Sequence, residues 1–205
     1  MTVLVGYASA HGSTRSIAGR IGTVLAERGL QADVRSMAGV EDAGAYEMFV
    51  LGSAIHDRTW LPEALDFLAR ERDVLAIRPV WLFSVGAPAA LRGPWRHFGA
   101  KEEGLVRDEL RTRVTAVDHR LFSGVFLREH TSLLGHLLFK ALGCRYGDYR
   151  DWPRVEAWAS TIAARPGYAA RSRRGPADLG GGTRGPRSLV ADRPAKESWG
   201  HSGKA

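Results

Sequence analysis

Thr2-Val3-Leu4-Val5-Gly6-Tyr7, running directly into Ala8-Ser9-Ala10-His11-Gly12-Ser13-Thr14, is the stretch on which the fold turns. The first six residues are β-branched and apolar with no polar alternation, the pattern of a strand buried on both faces of a parallel sheet. The residues after them are small or hydroxyl-bearing. From Arg15 to Arg28, Ile17, Ile21, Val24 and Leu25 recur at helical spacing. Gly29 then stands where a left-handed helix C-terminus wants a glycine. Strand, polar loop and helix are the opening of a βαβ unit, which implies a parallel partner strand and a right-handed crossover.

Outward from this unit the same alternation continues. Gln31 to Ser36 reads as a second strand. Glu47 to Leu51 reads as a third, ending in Gly52-Ser53. Leu61 to Arg72 carries Leu61, Leu65 and Leu68 with Pro62 in its first turn, a good helix start. Val80 to Ser84 is a fourth strand running into Val85-Gly86-Ala87-Pro88, and Val114 to Val117 with Leu121 to Phe126 is an interrupted fifth. Helices are predicted over Ser132–Leu142 and Trp152–Ala164. Five strands alternating with helices predict an α/β, doubly wound parallel sheet covered on both faces, whose ligands sit at the carboxyl ends of the strands.

The chain has 205 residues, 44% hydrophobic and 25% charged, with a formal charge of +7. Residues 166–205 hold 8 of the 29 Lys and Arg and 3 of the 22 Asp and Glu, leaving 21 against 19 in the first 165. The basic character therefore lies mostly in a Gly/Pro/Arg-rich tail with too few apolar side chains to offset the entropy of ordering it, so that tail is expected to be disordered. The expectation of a nucleic-acid partner weakens accordingly. Cys144 is the one cysteine, which excludes an intrachain disulfide and multi-cysteine metal sites. Neither a signal peptide nor an apolar run long enough to span a bilayer is read, so a cytoplasmic, soluble or membrane-peripheral protein is expected.

Ser9, Ser13 and Thr14 gather three hydroxyls at a predicted helix N-terminus, where unpaired N–H groups and the helix dipole favour an anion. A phosphate monoester can be held by such donors without a lysine. The pattern is neither a P-loop nor the G-x-G-x-x-G dinucleotide fingerprint. Ordinary N-capping is the competing reading for Ser13. His11 is either a donor to the anion or a solvent-facing loop residue. Two further segments, Gly52-Ser53-Ala54-Ile55-His56 and Ser84-Val85-Gly86-Ala87, place small residues where backbone can approach a flat ring closely.

Tyr7 to Ala18 resembles the flavodoxin phosphate-binding signature, with Ser9, Gly12 and Thr14 at its hydroxyl, glycine and threonine positions and His11 where a second threonine is usual. Within that superfamily the chain is most similar to the menaquinone-dependent protoporphyrinogen IX dehydrogenase group, on Leu51-Gly52-Ser53-Ala54-Ile55, on Leu82-Phe83-Ser84-Val85, on an extension at about 126–150, and on Gly147-Asp148-Tyr149-Arg150-Asp151-Trp152. The resemblance covers roughly residues 1–165. It implies a five-stranded sheet in the order 2-1-3-4-5 and an FMN cofactor. It also implies oxidation of a reduced tetrapyrrole with electrons passing to a quinone.

By that resemblance the FMN-binding residues are Ser9, His11, Gly12, Ser13 and Thr14 for the phosphate, with Ser53, Ala54, Ile55, His56, Trp60, Ser84, Val85, Gly86 and Ala87 around the ring. Trp60 and Trp95 are expected either to stack on the isoalloxazine or to serve as ordinary packing. His56 is a candidate proton carrier or an exposed loop residue. Arg58 is a candidate contact for an acidic substrate, and Arg92 and Arg96 are charges near the mouth. The stripe Leu133, Leu134, Leu137, Leu138, Ala141 and Leu142 packs on the sheet, or lies on a membrane surface or quinone entrance along about 131–142. The alternatives to the dehydrogenase are a flavodoxin-type electron carrier and a flavin-free binding module on the same fold.

Overall fold

Val3 and Val5 turn their side chains to one side of the first strand and Leu4 turns to the other, and all three are fully buried. A strand with no wet face needs cover on both sides. The computed structural model, which describes residues 1–86, 96–128 and 146–165, provides it. Strand β1 (Thr2–Ala8) is followed by helix α1 (Ser13–Glu27), β2 (Gln31–Ser36), β3 (Met48–His56), the short β4 (Thr59–Trp60), and helices α2 (Pro62–Arg70) and α3 (Arg72–Ile77). Then come β5 (Val80–Gly86), α4 (Arg96–Arg113), β6 (Asp118–Ser123), the two-residue strands β7 (Val125–Phe126) and β8 (Gly147–Asp148), and a last helix, α5 (Trp152–Ala163).

The main sheet runs β2-β1-β3-β5-β6, and every neighbouring pair along it is parallel. Once β4 is recognised as an antiparallel appendage of β3, this is the expected order 2-1-3-4-5. One core lies between the sheet and α1 with α5, joining Val3, Val5, Ile17, Ile21, Val50, Phe83, Phe122 and Trp158. The other lies beneath α2, α3 and α4, joining Leu4, Phe49, Leu51, Phe67, Leu75, Leu82, Val106 and Leu110. Gly29 takes φ 87, the left-handed conformation expected of it.

Three readings change. First, β3 does not end at Leu51. Gly52, Ser53 and Ala54 stay in the ladder opposite Phe83, Ser84 and Val85, and the strand continues into a hairpin with β4. The turn residues Asp57 and Arg58 both have positive φ, 49 and 64, as a two-residue hairpin of the primed type requires. The small residues are there because a large neighbour needs the space: a Cβ on Gly52 would lie 2.1 Å from Cζ of the buried Phe83 ring. Second, α4 has no counterpart in the predicted elements. Its segment is rich in charge, and among its residues 104–113 only Val106 and Leu110 are buried, with Val114 just past the helix end continuing the i, i+4, i+8 stripe. Third, Val114 to Val117 connects α4 to β6 rather than forming part of the fifth strand. Ala87, Arg92, Trp95, the predicted helix 132–142, Cys144 and the tail 166–205 lie outside the described residues.

At the edge of the sheet, Asp118 ties β6 to α5. Its carboxylate accepts from Trp158 Nε1 at 2.8 Å, from Arg120 Nε at 3.0 Å and from the His119 backbone N–H at 2.9 Å. Partial burial pushes its pKa up, but these donors outweigh that and hold the carboxyl below the ordinary range. A depressed folded-state pKa stabilises the fold above the unfolded value of about 3.9 and loses that contribution as pH falls through the folded one. The stability difference between the natural chain and Asp118→Asn, measured by urea unfolding, is therefore expected to be largest above about pH 5 and to shrink towards pH 3. A pH-independent difference would contradict the assignment. Gly52→Ala is expected to destabilise by about 1–3 kcal/mol in the same assay, because the Phe83 ring cannot move aside in a close-packed core. A change within about 0.5 kcal/mol would be that of an ordinary surface site.

Candidate functional site

The carboxyl ends of β1, β3 and β5 open on one side of the sheet, and the loop from Ser9 to Gly12 carries the chain from β1 into α1 there. Gly12 sits at φ 86 as the residue before the helix, with no side chain capping the first turn. That positive φ suits glycine and lets the chain reverse so that the first N–H groups of α1, which have no acceptor four residues back, face the loop. Ser9 Oγ accepts from the Gly12 N–H at 3.0 Å, and Ser13 Oγ accepts from the Val125 N–H at 3.1 Å. Each hydroxyl that has accepted a backbone N–H keeps its own proton to donate.

Thr14 is 1% exposed, and its Oγ1 is buried without a hydrogen-bond partner. Leaving a buried hydroxyl unpaired costs about 1–3 kcal/mol. An acceptor at the α1 N-terminus would remove that cost. The donor set of two oriented serine hydroxyls, an unpaired buried threonine hydroxyl and a helix N-terminus fits a phosphate monoester. His11 and Gly12 are exposed beside it.

The second predicted segment is divided by the ladder. Ala54 and Ile55 are half-buried at the end of β3, while His56 is exposed, with Nδ1 3.2 Å from the Asp57 carboxylate. Arg58 is exposed on the turn. Ser53 is fully buried and serves the backbone, donating to the Ala54 carbonyl at 2.9 Å and accepting from the Leu61 N–H at 3.0 Å. Trp60 is 1% exposed, so neither face of its ring is open for stacking. Its packing role prevails because the indole N–H donates to buried Ser84 Oγ at 2.8 Å, and Ser84 also bonds His119 Nε2 at 2.9 Å. Val85 is a core residue of the α1 face. Gly86 reaches the sheet end, where its carbonyl accepts from the Gly124 N–H at 3.0 Å. The structure thus brings Ser9, Gly12, Ser13, Thr14, Ala54, Ile55 and Gly86 to one end of the sheet and uses Ser53, Trp60, Ser84 and Val85 to build the scaffold beneath.

Sequence reading misses the ribbon formed by β7 and β8. Gly124 lies so close to Ser13 that a Cβ on it would stand 3.3 Å from Ser13 Cβ. Arg150, just after β8, donates to Ser16 Oγ at 2.8 Å and grips the Asp148 carboxylate with Nε at 2.8 Å and Nη2 at 2.6 Å. The hydrogen bonds from Arg150 hold the Asp148 carboxyl below its ordinary range, outweighing slight burial. Asp-x-Arg spacing was the available signal, but contacts more than a hundred residues away in sequence leave no local trace.

A cavity of about 370 Å³ lined by Arg107, Leu110, Asp118, His119 and Arg154 lies at the opposite end of the sheet, where β6 begins. It is not part of this site. Among the described residues, no three metal-ligating side chains gather and no helix is long and apolar enough to cross a membrane.

No curated protein sequence matches this chain. Solved structures similar to it include oxidised flavodoxin 2 from Bacillus cereus, with TM-score 0.51 at 21% identity over 80% of this chain and 98% of that one. Flavodoxin 1 from Bacillus cereus superposes with TM-score 0.52 at 16% identity over 80% and 97%. A short-chain flavodoxin associated with a non-canonical PDU bacterial microcompartment gives 0.52 at 14% identity over 80% and 97%. At these identities the likeness is one of fold. Residues 4–128, from β1 through β7 and so including the hydroxyl loop, match the flavodoxin domain family. With the order of the sheet and a phosphate-fitting α1 N-terminus beside that match, the chain belongs to the flavodoxin domain family, and its cofactor is FMN.

Proposed function

We propose that this protein is an FMN-dependent oxidoreductase of the menaquinone-dependent protoporphyrinogen IX dehydrogenase kind, which oxidises a reduced tetrapyrrole and passes the electrons to a quinone. The observation that carries this reading is the ribbon. After β6, β7 and β8 pair antiparallel, and the ribbon they form meets the phosphate loop, where the Val125 N–H donates to Ser13 Oγ. A ribbon at the redox end of the fold suits a protein that receives an organic substrate there. The near balance of 21 cations and 19 acids in residues 1–165 supports the same reading over a carrier that docks through an acidic surface.

FMN, when bound, supplies two-electron redox chemistry. The residues supply binding and orientation. Ser9, Ser13 and Thr14 hold the phosphate by donated hydrogen bonds, and the half-buried ends of β3 and β5 at Ala54, Ile55 and Gly86 leave backbone within reach of a ring. Each turnover removes a hydride equivalent and a proton from the tetrapyrrole and delivers two electrons and two protons to the quinone. His56, exposed at the rim beside Asp57, is a side chain able to exchange a proton with solvent there. The acidic side chains of a tetrapyrrole would meet Arg58 at the same rim. Peripheral contact with the inner face of the cell membrane, through about 131–142, would bring the protein to its quinone.

Anaerobic assay of flavin-loaded protein with protoporphyrinogen IX and a menaquinone analogue is expected to show turnover above the uncatalysed rate. Flavin that is reduced and reoxidised by protein redox partners alone, with no turnover of the tetrapyrrole, would assign the carrier role instead. Ser9→Ala with Thr14→Ala is expected to weaken FMN by a few kcal/mol, from two hydrogen bonds to a charged acceptor at about 1.5–3 kcal/mol each. Fluorescence titration of FMN checks this, and unchanged affinity would place the phosphate elsewhere.

A further inference from the structure

Ser13 is held from two sides, and both holds end on the ribbon. Its hydroxyl accepts from the Val125 N–H at 3.1 Å, next to the point where Gly124 presses on its Cβ. Its carbonyl accepts from Ser16 Oγ at 2.7 Å, and Ser16 Oγ in turn accepts from Arg150 Nη1 at 2.8 Å. The guanidinium is itself fixed by the bidentate grip on Asp148 and by the Trp152 ring, whose centroid lies 4.8 Å from Cζ. The Tyr149 N–H donates to the Gly124 carbonyl at 3.2 Å, which joins the two holds into one unit. No residue of this unit other than Ser13 belongs to the hydroxyl loop.

A serine that has accepted one N–H is left with its proton to give and fewer orientations in which to give it. From this arrangement we infer that Arg150 is a positioning residue for the flavin phosphate: through Ser16 and the β7–β8 ribbon it sets the Ser13 hydroxyl and the first turn of α1, and thereby the preference of this site for FMN over riboflavin. The inference rests on the phosphate lying in the loop from Ser9 to Thr14. Coupling of this kind is reciprocal. Phosphate at Ser13 must steady the ribbon as much as the ribbon steadies Ser13, and the Val125 N–H is the amide that reports it.

FMN and riboflavin differ by the phosphate alone, so paired titrations isolate the effect. Arg150→Ala is expected to lower FMN affinity by about tenfold, the value of one modest hydrogen bond, with riboflavin affinity unchanged. Ser16→Ala leaves Arg150 with Asp148 and Trp152, so it guards against simple unfolding, and it is expected to give the same selective loss. The double variant is expected to lose no more than either single one, because both cut the same string. In the natural chain, FMN but not riboflavin is expected to slow hydrogen exchange at the Val125 amide. If both flavins weaken together, or neither does, Arg150 is merely structural or irrelevant and the inference is overturned. If the natural chain binds both flavins equally, the phosphate placement fails and takes the inference with it.

Discussion

Burying β1 on both faces constrains everything else, because a strand without a wet face must lie inside a sheet that has helices above and below. Val3 and Val5 commit one face to α1 and α5, while Leu4 commits the other to the layer beneath α2 to α4. Once α1 packs on β1, the connection between them has to lie at the carboxyl end of the sheet, and the N-terminus of α1 has to point back over it. The anion-binding character of that end thus follows from hydrophobic burial. Hydroxyl chemistry only exploits it.

The candidate site offers its cofactor dipoles and hydroxyls in place of a lysine. Such a site depends on orientation more than a charged one does, since a hydroxyl aimed wrongly contributes nothing while a nearby ammonium still attracts. The ribbon meets that need by fixing Ser13, and its own rigidity comes from the Arg150 guanidinium, which is paired, stacked and hydrogen-bonded at once. Thr14 is the opposite case. It is buried and unpartnered, a donor whose unmet hydrogen bond an acceptor at the helix start would satisfy.

Serines at the sheet end divide by the same logic. Ser53 and Ser84 have every feature of ligand residues in the sequence, being small, polar and near the strand ends. Both are fully buried, and their hydroxyls satisfy Leu61, Trp60 and His119 instead. Trp60 moves from the site to the scaffold for a related reason: a hairpin carries it back over β3, and its indole N–H finds Ser84 in the interior. What looked like a wall of the flavin pocket is the framework supporting it.

The periodicity of Thr2 to Leu51 and of Val80 to Ser84 determined the parallel sheet and the place of the hydroxyl loop, because strands buried on both faces, as β1, β3 and β5 are, leave patterns that local spacing records; the strand order is what the family resemblance implies. Helix α4 left almost none, since among residues 104–113 the apolar positions Val106 and Leu110 that pack it, with Val114 just beyond, stand among charged residues and an exposed Leu105. The contacts of Gly52, Ser53, Ser84 and Trp60 are decided only in three dimensions, as are those of Gly124, Val125, Ser16 and Arg150. Each depends on a partner brought near by the sheet register or the ribbon, and a sequence read along its length holds the residue types but not those distances.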